Sequence, residues 1–486
     1  MNKPLRRIAI FCGVLIFALL ARTNYLQYVK ADELNTRKEN RRVRIERYAH
    51  ERGNIIVDGG KSITGSKETE DSDFKYKRVW KDGPMWAPVT GYSSQAFDAS
   101  QLEKLEDGIL TGNDDQLFFD RTMSMFTGDE AQGGNIVTTL NSAAQTAAFK
   151  GLGKRKGAVA ALDPQTGAIL ALASTPSYDP STFAGNGKAD TEAWQALLKD
   201  KDKPMQNRAL RETYPPGSTF KVVTAAAALE NGLYTDIDAD TKSPLPWRLP
   251  QSTKDLDNEG PIPCENASLR KALRYSCNTV FGKISDDLGN QKMIDEAGKF
   301  GFNKEIFTPV RSNASVYPKD NRPQNAMAGI GQASNRATPL QMAMVASAVA
   351  NDGKLMQPYM VAERQAPNLD VIYTHEKEEF SRPLSAENAQ KLQEMMETVV
   401  KEGTGTNAQI PGATVGGKTG TAQHGLNNSE KPYAWFISYA KTDSGSPVAV
   451  AVVVEDGNAD RDDISGGGLA APIAKAVMKA VIDSKK

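Results

Sequence analysis

The residues best suited to covalent chemistry stand at Ser218-Thr-Phe-Lys221. A serine hydroxyl is a weak nucleophile until a neighbouring base removes its proton, and a lysine can be that base once burial or a second cation lowers its pKa. Ser-x-x-Lys occurs four times, at Ser72, Ser218, Ser268 and Ser438, so the tetrapeptide alone selects nothing. Context selects Ser218. It follows the turn Tyr214-Pro-Pro-Gly217 and opens an alanine-rich run, Val222–Leu229, closed by Asn231-Gly232. Pro before and Gly after are ordinary helix punctuation. The serine then lies at a helix N-terminus, where free N–H groups favour developing negative charge, with Lys221 on the same face. The bland alternative is a capping serine beside a solvated lysine.

Two further elements add to this one. Ser276-Cys-Asn278 is the one Ser-x-Asn in the chain, and it sits between two helical patterns, Leu269–Leu273 and Thr279–Ile284. Its hydroxyl could relay a proton and its amide could hold a substrate amide, since an Asn side chain both donates and accepts. An ordinary inter-helix turn has the same composition. Lys418-Thr-Gly420, followed by Thr421, lies in a strand-like stretch with Gly416 and Gly417. Strand glycines mark a bulge or the close approach of another backbone, which suits a strand that lies against a peptide. Lys418 offers charge for a carboxylate, and the two threonines offer hydroxyls.

The elements that must position these residues follow from pattern. Ala158–Leu162 and Ala168–Ala173 read as two strands around the turn Asp163-Pro-Gln-Thr-Gly167. Thr338-Pro339 opens a helix that stops near Gly353. Tyr433–Ala440 and Pro447–Glu455 are strand-like, and Ala470–Ile482 is a closing helix. Strands at both ends with helices between predict an antiparallel α+β domain over residues 157–486. Before it, residues 30–156 read as an accessory module with short β runs at Asn54–Val57 and Asn135–Leu140. The Tyr234–Pro263 stretch, rich in Asp, Pro, Lys and Ser, reads as a surface excursion.

Residues 1–29 form the remaining unit. Lys3, Arg6 and Arg7 precede an apolar run from Ile8 to Ala21 that extends through Val29, long enough to span a bilayer. No small-x-small cleavage site follows, so an uncleaved single-pass anchor is expected, with the basic flank inside and the rest exported. Lys plus Arg and Asp plus Glu both total 59. This balance lacks the basic excess of a nucleic-acid binder. Three His and three Cys are scattered without metal-ligand spacing, and no metal or cofactor is expected. Cys264 and Cys277 lie in the exported part. Either they pair and brace the Ser276–Asn278 turn, or they are two separate buried thiols.

The order Ser-x-x-Lys, Ser-x-Asn, Lys-Thr-Gly resembles that of penicillin-binding proteins and β-lactamases. The resemblance is to the class B, monofunctional transpeptidase type, and covers nearly the whole chain. Gly157–Ser174 with Thr175-Pro-Ser-Tyr-Asp-Pro180, Gly331-Gln332, Ala337-Thr-Pro-Leu-Gln-Met342, Ala434-Trp-Phe436 and Arg52-Gly53-Asn-Ile55 also carry it. The short pedestal and anchor resemble actinobacterial members associated with septal wall synthesis. The resemblance implies a penicillin-binding transpeptidase fold, an antiparallel sheet flanked by helices plus a helical subdomain, on a pedestal of dimerisation-module type. It implies Ser218 as acylated nucleophile, Lys221 as base and Ser276 as proton shuttle. Asn278, Lys418, Thr419, Gly420 and Thr421 would bind substrate, and the N–H groups of Ser218 and Thr421 would form the oxyanion hole. The partners implied are stem peptides ending in D-Ala-D-Ala, β-lactams, the cytoplasmic membrane, a membrane-embedded glycan polymerase, and division or elongation proteins. One departure is Ala333, where family members often have Gly-Gln-Gly.

Rival readings share the serine. A β-lactamase is disfavoured by the exported segment before Gly157 and by Arg311–Ser315, which offers no Glu for deacylation. A D,D-carboxypeptidase, with water as acceptor, stays open. A non-catalytic wall-binding scaffold would not need the full set of motif residues. A class A enzyme would need a glycosyltransferase domain longer than the N-terminal part. No G-x-S-x-G elbow supports a Ser-His-Asp hydrolase.

Overall fold

The structure is a computed structural model describing residues 3–35, 41–70, 73–118, 122, 132–456, 460–461 and 464–485. Its first element, α1 (Lys3–Asn24), continues through a π turn to Val29. Among the described residues this is the one helix long and apolar enough to cross a membrane, and none of its side chains packs inside the protein.

The N-terminal module begins with β1 (Ile55–Val57) and β2 (Lys61–Ser62) and ends on β3 (Asn135–Thr138). Its interior holds a buried charge cluster. Glu103 takes Arg52 Nε at 2.6 Å and Arg78 Nε at 2.7 Å, and Arg52 also reaches Asp107 at 2.6 Å.

The second half starts with the hairpin of β4 (Lys156–Leu162) and β5 (Ile169–Thr175). Helices α2 (Lys221–Glu230), α3 (Leu269–Tyr275), α4 (Asn278–Leu288) and α5 (Pro339–Ala350) follow. Then come β6 (Val361–Gln365), β7 (Val371–Thr374) and α6 (Ala386–Glu402). The chain ends with β8 (Thr414–Ala422), β9 (Tyr433–Thr442), β10 (Gly445–Asp456) and α7 (Ala471–Ser484).

The main sheet has the order β8-β9-β10-β4-β5, every pair antiparallel. Alternation along its strands feeds two cores. Ala158, Ala160, Leu162 and Ile437 face the core that contains α5, all of whose residues are buried. Val159, Ala161, Phe436 and Val452 face the core with α7 and the helix Ser142–Leu152. Thr338 caps α5 by accepting from Gln341 N at 3.1 Å, as its sequence led us to expect.

A second sheet, β7-β6-β3-β1-β2, joins the two halves. β6, from beyond residue 360, pairs with β3 on one edge and with β7 on the other, and β3 in turn runs parallel to β1. The 234–263 stretch differs from a simple surface excursion. It holds a small hairpin, Trp247–Arg248 with Asp255–Leu256, whose Trp247 and Leu256 are buried against the helical core. With buried Ile237, and with Tyr234, Leu249 and Ile262 packed beside them, these side chains anchor a loop that is rich in polar residues.

Candidate active site

The Tyr214–Gly217 turn is held from several sides. Tyr214 N donates to Ala337 O at 2.9 Å and Gly217 N to Gly331 O at 2.9 Å. Trp435 Nε1 donates to Pro215 O at 3.1 Å, and Tyr214 OH donates to Glu455 at 2.6 Å. Gly217 and Gly331 both have positive φ, 55° and 78°. A Cβ on Gly331 would lie 2.0 Å from Gly217 O, so only glycine lets these two strands of backbone meet. Ser218 therefore emerges from a fixed turn. Residues Gly217–Phe220 form a 3-10 turn and α2 begins at Lys221, so the serine lies in a tight lead-in to the helix rather than in its first α turn.

Lys221 is fully buried. Its Nζ donates to Ser276 O at 2.6 Å, Asn278 Oδ1 at 2.6 Å and Ser276 Oγ at 3.1 Å. Lys418, also fully buried, donates from Nζ to Ser276 Oγ at 3.0 Å and to Thr419 O at 2.9 Å. The Ser276 hydroxyl thus bridges two ammonium groups from different elements. Burial drives the Lys221 ammonium well below its ordinary pKa, and the charge of Lys418 pushes the same way, with Glu259 opposing. Burial lowers Lys418 to about 7, again opposed by Glu259. Two adjacent cations in one dry site favour loss of a proton from one of them.

Ser276 ends α3 with φ 63°, a left-handed conformation uncommon for serine, and Asn278 opens α4. The corner is stapled by a Cys264–Cys277 disulfide with Cα atoms 5.6 Å apart, which decides between the two alternatives for these cysteines. The amide of Asn278 also donates to Asp257 O at 2.9 Å, drawing the 255–259 loop against the site. In β8, Gly416 and Gly417 face rings of the paired strand: a Cβ there would meet Tyr439 at 2.3 Å and Phe436 at 2.6 Å. The close approach expected at these glycines comes from aromatic side chains, not from a second backbone. Gly420 abuts Pro216 O, and Gly217 packs on Thr421 and Ala422, so the Tyr214–Gly217 turn and the end of β8 touch. Thr421 and Ser218 are half-buried.

Ser218, Lys221, Ser276, Asn278, Lys418, Thr419, Gly420 and Thr421 thus converge from the 3-10 lead-in and start of α2, the α3–α4 corner and β8. The other Ser-x-x-Lys matches do other things. Ser268 caps α3 by accepting from Lys271 N, while Lys271 is exposed. Ser438 is buried within β9. Ser72 lies outside the described residues. Sequence reasoning missed Thr404, whose Oγ1 is 2.6 Å from Thr419 Oγ1, and Glu259, whose charge acts on both lysines. The Gly403-Thr-Gly405 turn was the available signal for the first.

Residues 157–479 match the family model of the penicillin binding protein transpeptidase domain, and residues 52–136 match that of the penicillin binding protein A dimerisation domain. The chain is 39% identical to the peptidoglycan D,D-transpeptidase PbpA of Mycolicibacterium smegmatis over 99% of both chains. It is 40% identical to PbpA of Mycobacterium tuberculosis over 100% of both. A solved structure of M. tuberculosis penicillin-binding protein A, as a ceftriaxone acyl-enzyme, superposes with a TM-score of 0.85 at 39% identity, covering 90% of this chain and 100% of that one. Fold, motif geometry and sequence agree: the chain belongs to the penicillin-binding protein transpeptidase family, as a class B member.

Proposed function

We propose that this protein is a peptidoglycan D,D-transpeptidase with Ser218 as its nucleophile. Its full-length relatives are named for that activity. The observation that carries the residue assignment is Lys221: fully buried, within 3.1 Å of Ser276 Oγ, and biased toward its neutral form by burial and by Lys418. A neutral amine three residues from a half-buried serine at a helix start is a competent base.

In this reading Ser218 Oγ attacks the carbonyl carbon of the D-Ala–D-Ala bond, and its proton passes to Lys221. The bridging Ser276 hydroxyl hands a proton to the leaving amine as the C–N bond breaks and takes one from Lys221 in return, which releases D-Ala and leaves an ester on Ser218. A neighbouring stem's amine then attacks that ester, its proton returns by the same path, and the cross-link forms. Asn278 holds the donor peptide, while Lys418, Thr419, Gly420 and Thr421 receive its terminal carboxylate. The N–H groups of Ser218 and Thr421 face the developing oxyanion, a type of contact worth ~3–4 kcal/mol per donor. β-Lactams enter as mimics of the D-Ala–D-Ala carboxylate and amide. The helix Lys3–Val29 anchors the chain in the cytoplasmic membrane, with Lys3, Arg6 and Arg7 inside and the catalytic part outside. A membrane-embedded glycan polymerase and division or elongation proteins are the partners this placement calls for.

Mass spectrometry of benzylpenicillin-treated protein tests the assignment. One adduct on the Ser218 peptide is expected, lost in Ser218→Ala and retained in Ser268→Ala and Ser438→Ala. An adduct elsewhere, or none on folded protein, would overturn it.

A further inference from the structure

The turn Gly403-Thr404-Gly405 connects α6 to a short 3-10 turn ahead of β8, and it is pinned in place. The Thr404 carbonyl oxygen lies 2.5 Å from where a Cβ on Gly467 would stand, and Asn407 Nδ2 donates to Gly467 O at 2.9 Å. Gly403 fits between Arg274 O and Val399 O, each 2.8 Å from where a Cβ would stand. So fixed, Thr404 presents Oγ1 to Thr419 Oγ1 at 2.6 Å. Lys418 Nζ lies 3.5 Å from the same Thr419 oxygen.

A hydroxyl has one proton and two lone pairs. A carboxylate can only accept, so Thr419 can hold one only by donating its proton. Its oxygen must then accept from its neighbours, and the 2.6 Å contact is satisfied only with Thr404 as donor. We propose that Thr404 is a positioning residue: its hydroxyl donates to Thr419 and turns the Thr419 proton toward the carboxylate of a bound donor peptide or β-lactam. This rests on the reading above, in which Thr419 meets that carboxylate.

The test compares Thr404→Val, which keeps shape and removes the hydroxyl, with Thr404→Ser, which keeps the hydroxyl and removes a methyl. Binding and acylation constants are resolved separately for benzylpenicillin and for its methyl ester, which lacks the charge. For Thr404→Val we expect binding of benzylpenicillin to weaken about tenfold, the magnitude of one hydrogen bond to a charged system. The acylation step and the methyl ester should barely change, and Thr404→Ser should behave as wild type. Equal losses for acid and ester, or damage in Thr404→Ser with none in Thr404→Val, would show a packing role and overturn the proposal. So would wild-type binding in both variants. Should Thr404→Val fail to fold, Thr404→Ser decides: wild-type discrimination between acid and ester supports the hydroxyl role, and its loss refutes it. Absence of any Ser218 adduct in wild-type protein would instead sink the transpeptidase reading itself.

Discussion

A methyl group on Gly331 should disable the Tyr214–Gly217 turn without changing any of the proposed catalytic or substrate-binding residues. The added Cβ would lie 2.0 Å from Gly217 O and 2.6 Å from Gly217 N, both backbone atoms that cannot swing aside. Restoring even a 3.0 Å contact requires displacing Gly217 by about 1 Å, and Ser218 is the next residue. A shift of that size at a reacting group costs on the order of a hundredfold in rate. The φ of 78° adds a penalty of ~1–2 kcal/mol to folding. The control is Gly232→Ala, where φ is 65° but nothing lies within 4 Å of the new atom. It should show the folding penalty alone and acylate normally. Fluorescent-penicillin acylation rates with thermal melts separate the two effects. Gly331→Ala protein that is folded and acylates within a few-fold of wild type would refute the argument that this contact sets the serine's position.

The second-order acylation constant should fall above about pH 7 as Lys418 loses the proton that makes it a carboxylate partner. It should fall on the acid side as Lys221 gains one. Lys418→Ala removes the neighbouring charge that lowers Lys221, so the acid limb should move to higher pH; an unmoved limb would count against the coupling. Ala333→Gly, at φ 53°, should stabilise the fold by up to about 1 kcal/mol in denaturant titration, because alanine is strained there. Glu103→Gln should destabilise by ~3–5 kcal/mol, since Arg78 would keep a buried charge with no counter-ion and Arg52 would be left with Asp107 alone. Replacing Cys264 and Cys277 by Ser should lower stability by about 3 kcal/mol on loop-closure grounds and slow acylation by loosening the Ser276–Asn278 corner, both measurable on one preparation.

Much of the site was legible because its parts are short and local. Turn-then-helix chemistry at Tyr214–Glu230 singled out Ser218 from four matches, and β4, β5, β9 and β10 follow from unbroken apolar runs. What stayed hidden depends on contacts far apart in the chain. Thr404 acquires its interest only once α6 and β8 bring it to Thr419, and Glu259 only once the disulfide and Asn278 pull its loop inward. Trp247 and Leu256 were lost in a polar background, where two buried side chains leave no periodicity. The pairing of β6 with β3 could not be read at all, since a mixed sheet assembled across 220 or more residues has no local signature.

That shared sheet has a practical consequence. An excised catalytic half beginning at residue 157 would carry β6 and β7 but not β3, leaving the β6 edge with unpaired N–H and C=O groups. Such an edge invites pairing with another copy, so the truncated protein should aggregate or dimerise edge to edge. The same seam would share any load applied between the two halves. Tension applied at Arg52 would load the parallel β1–β3 pair and the β3–β6 pair along their length, beside the covalent path from β3 to β4. The N-terminal module is accordingly spliced into the second half by strand pairing, and exchanging it for another fold would remove the partner of β6.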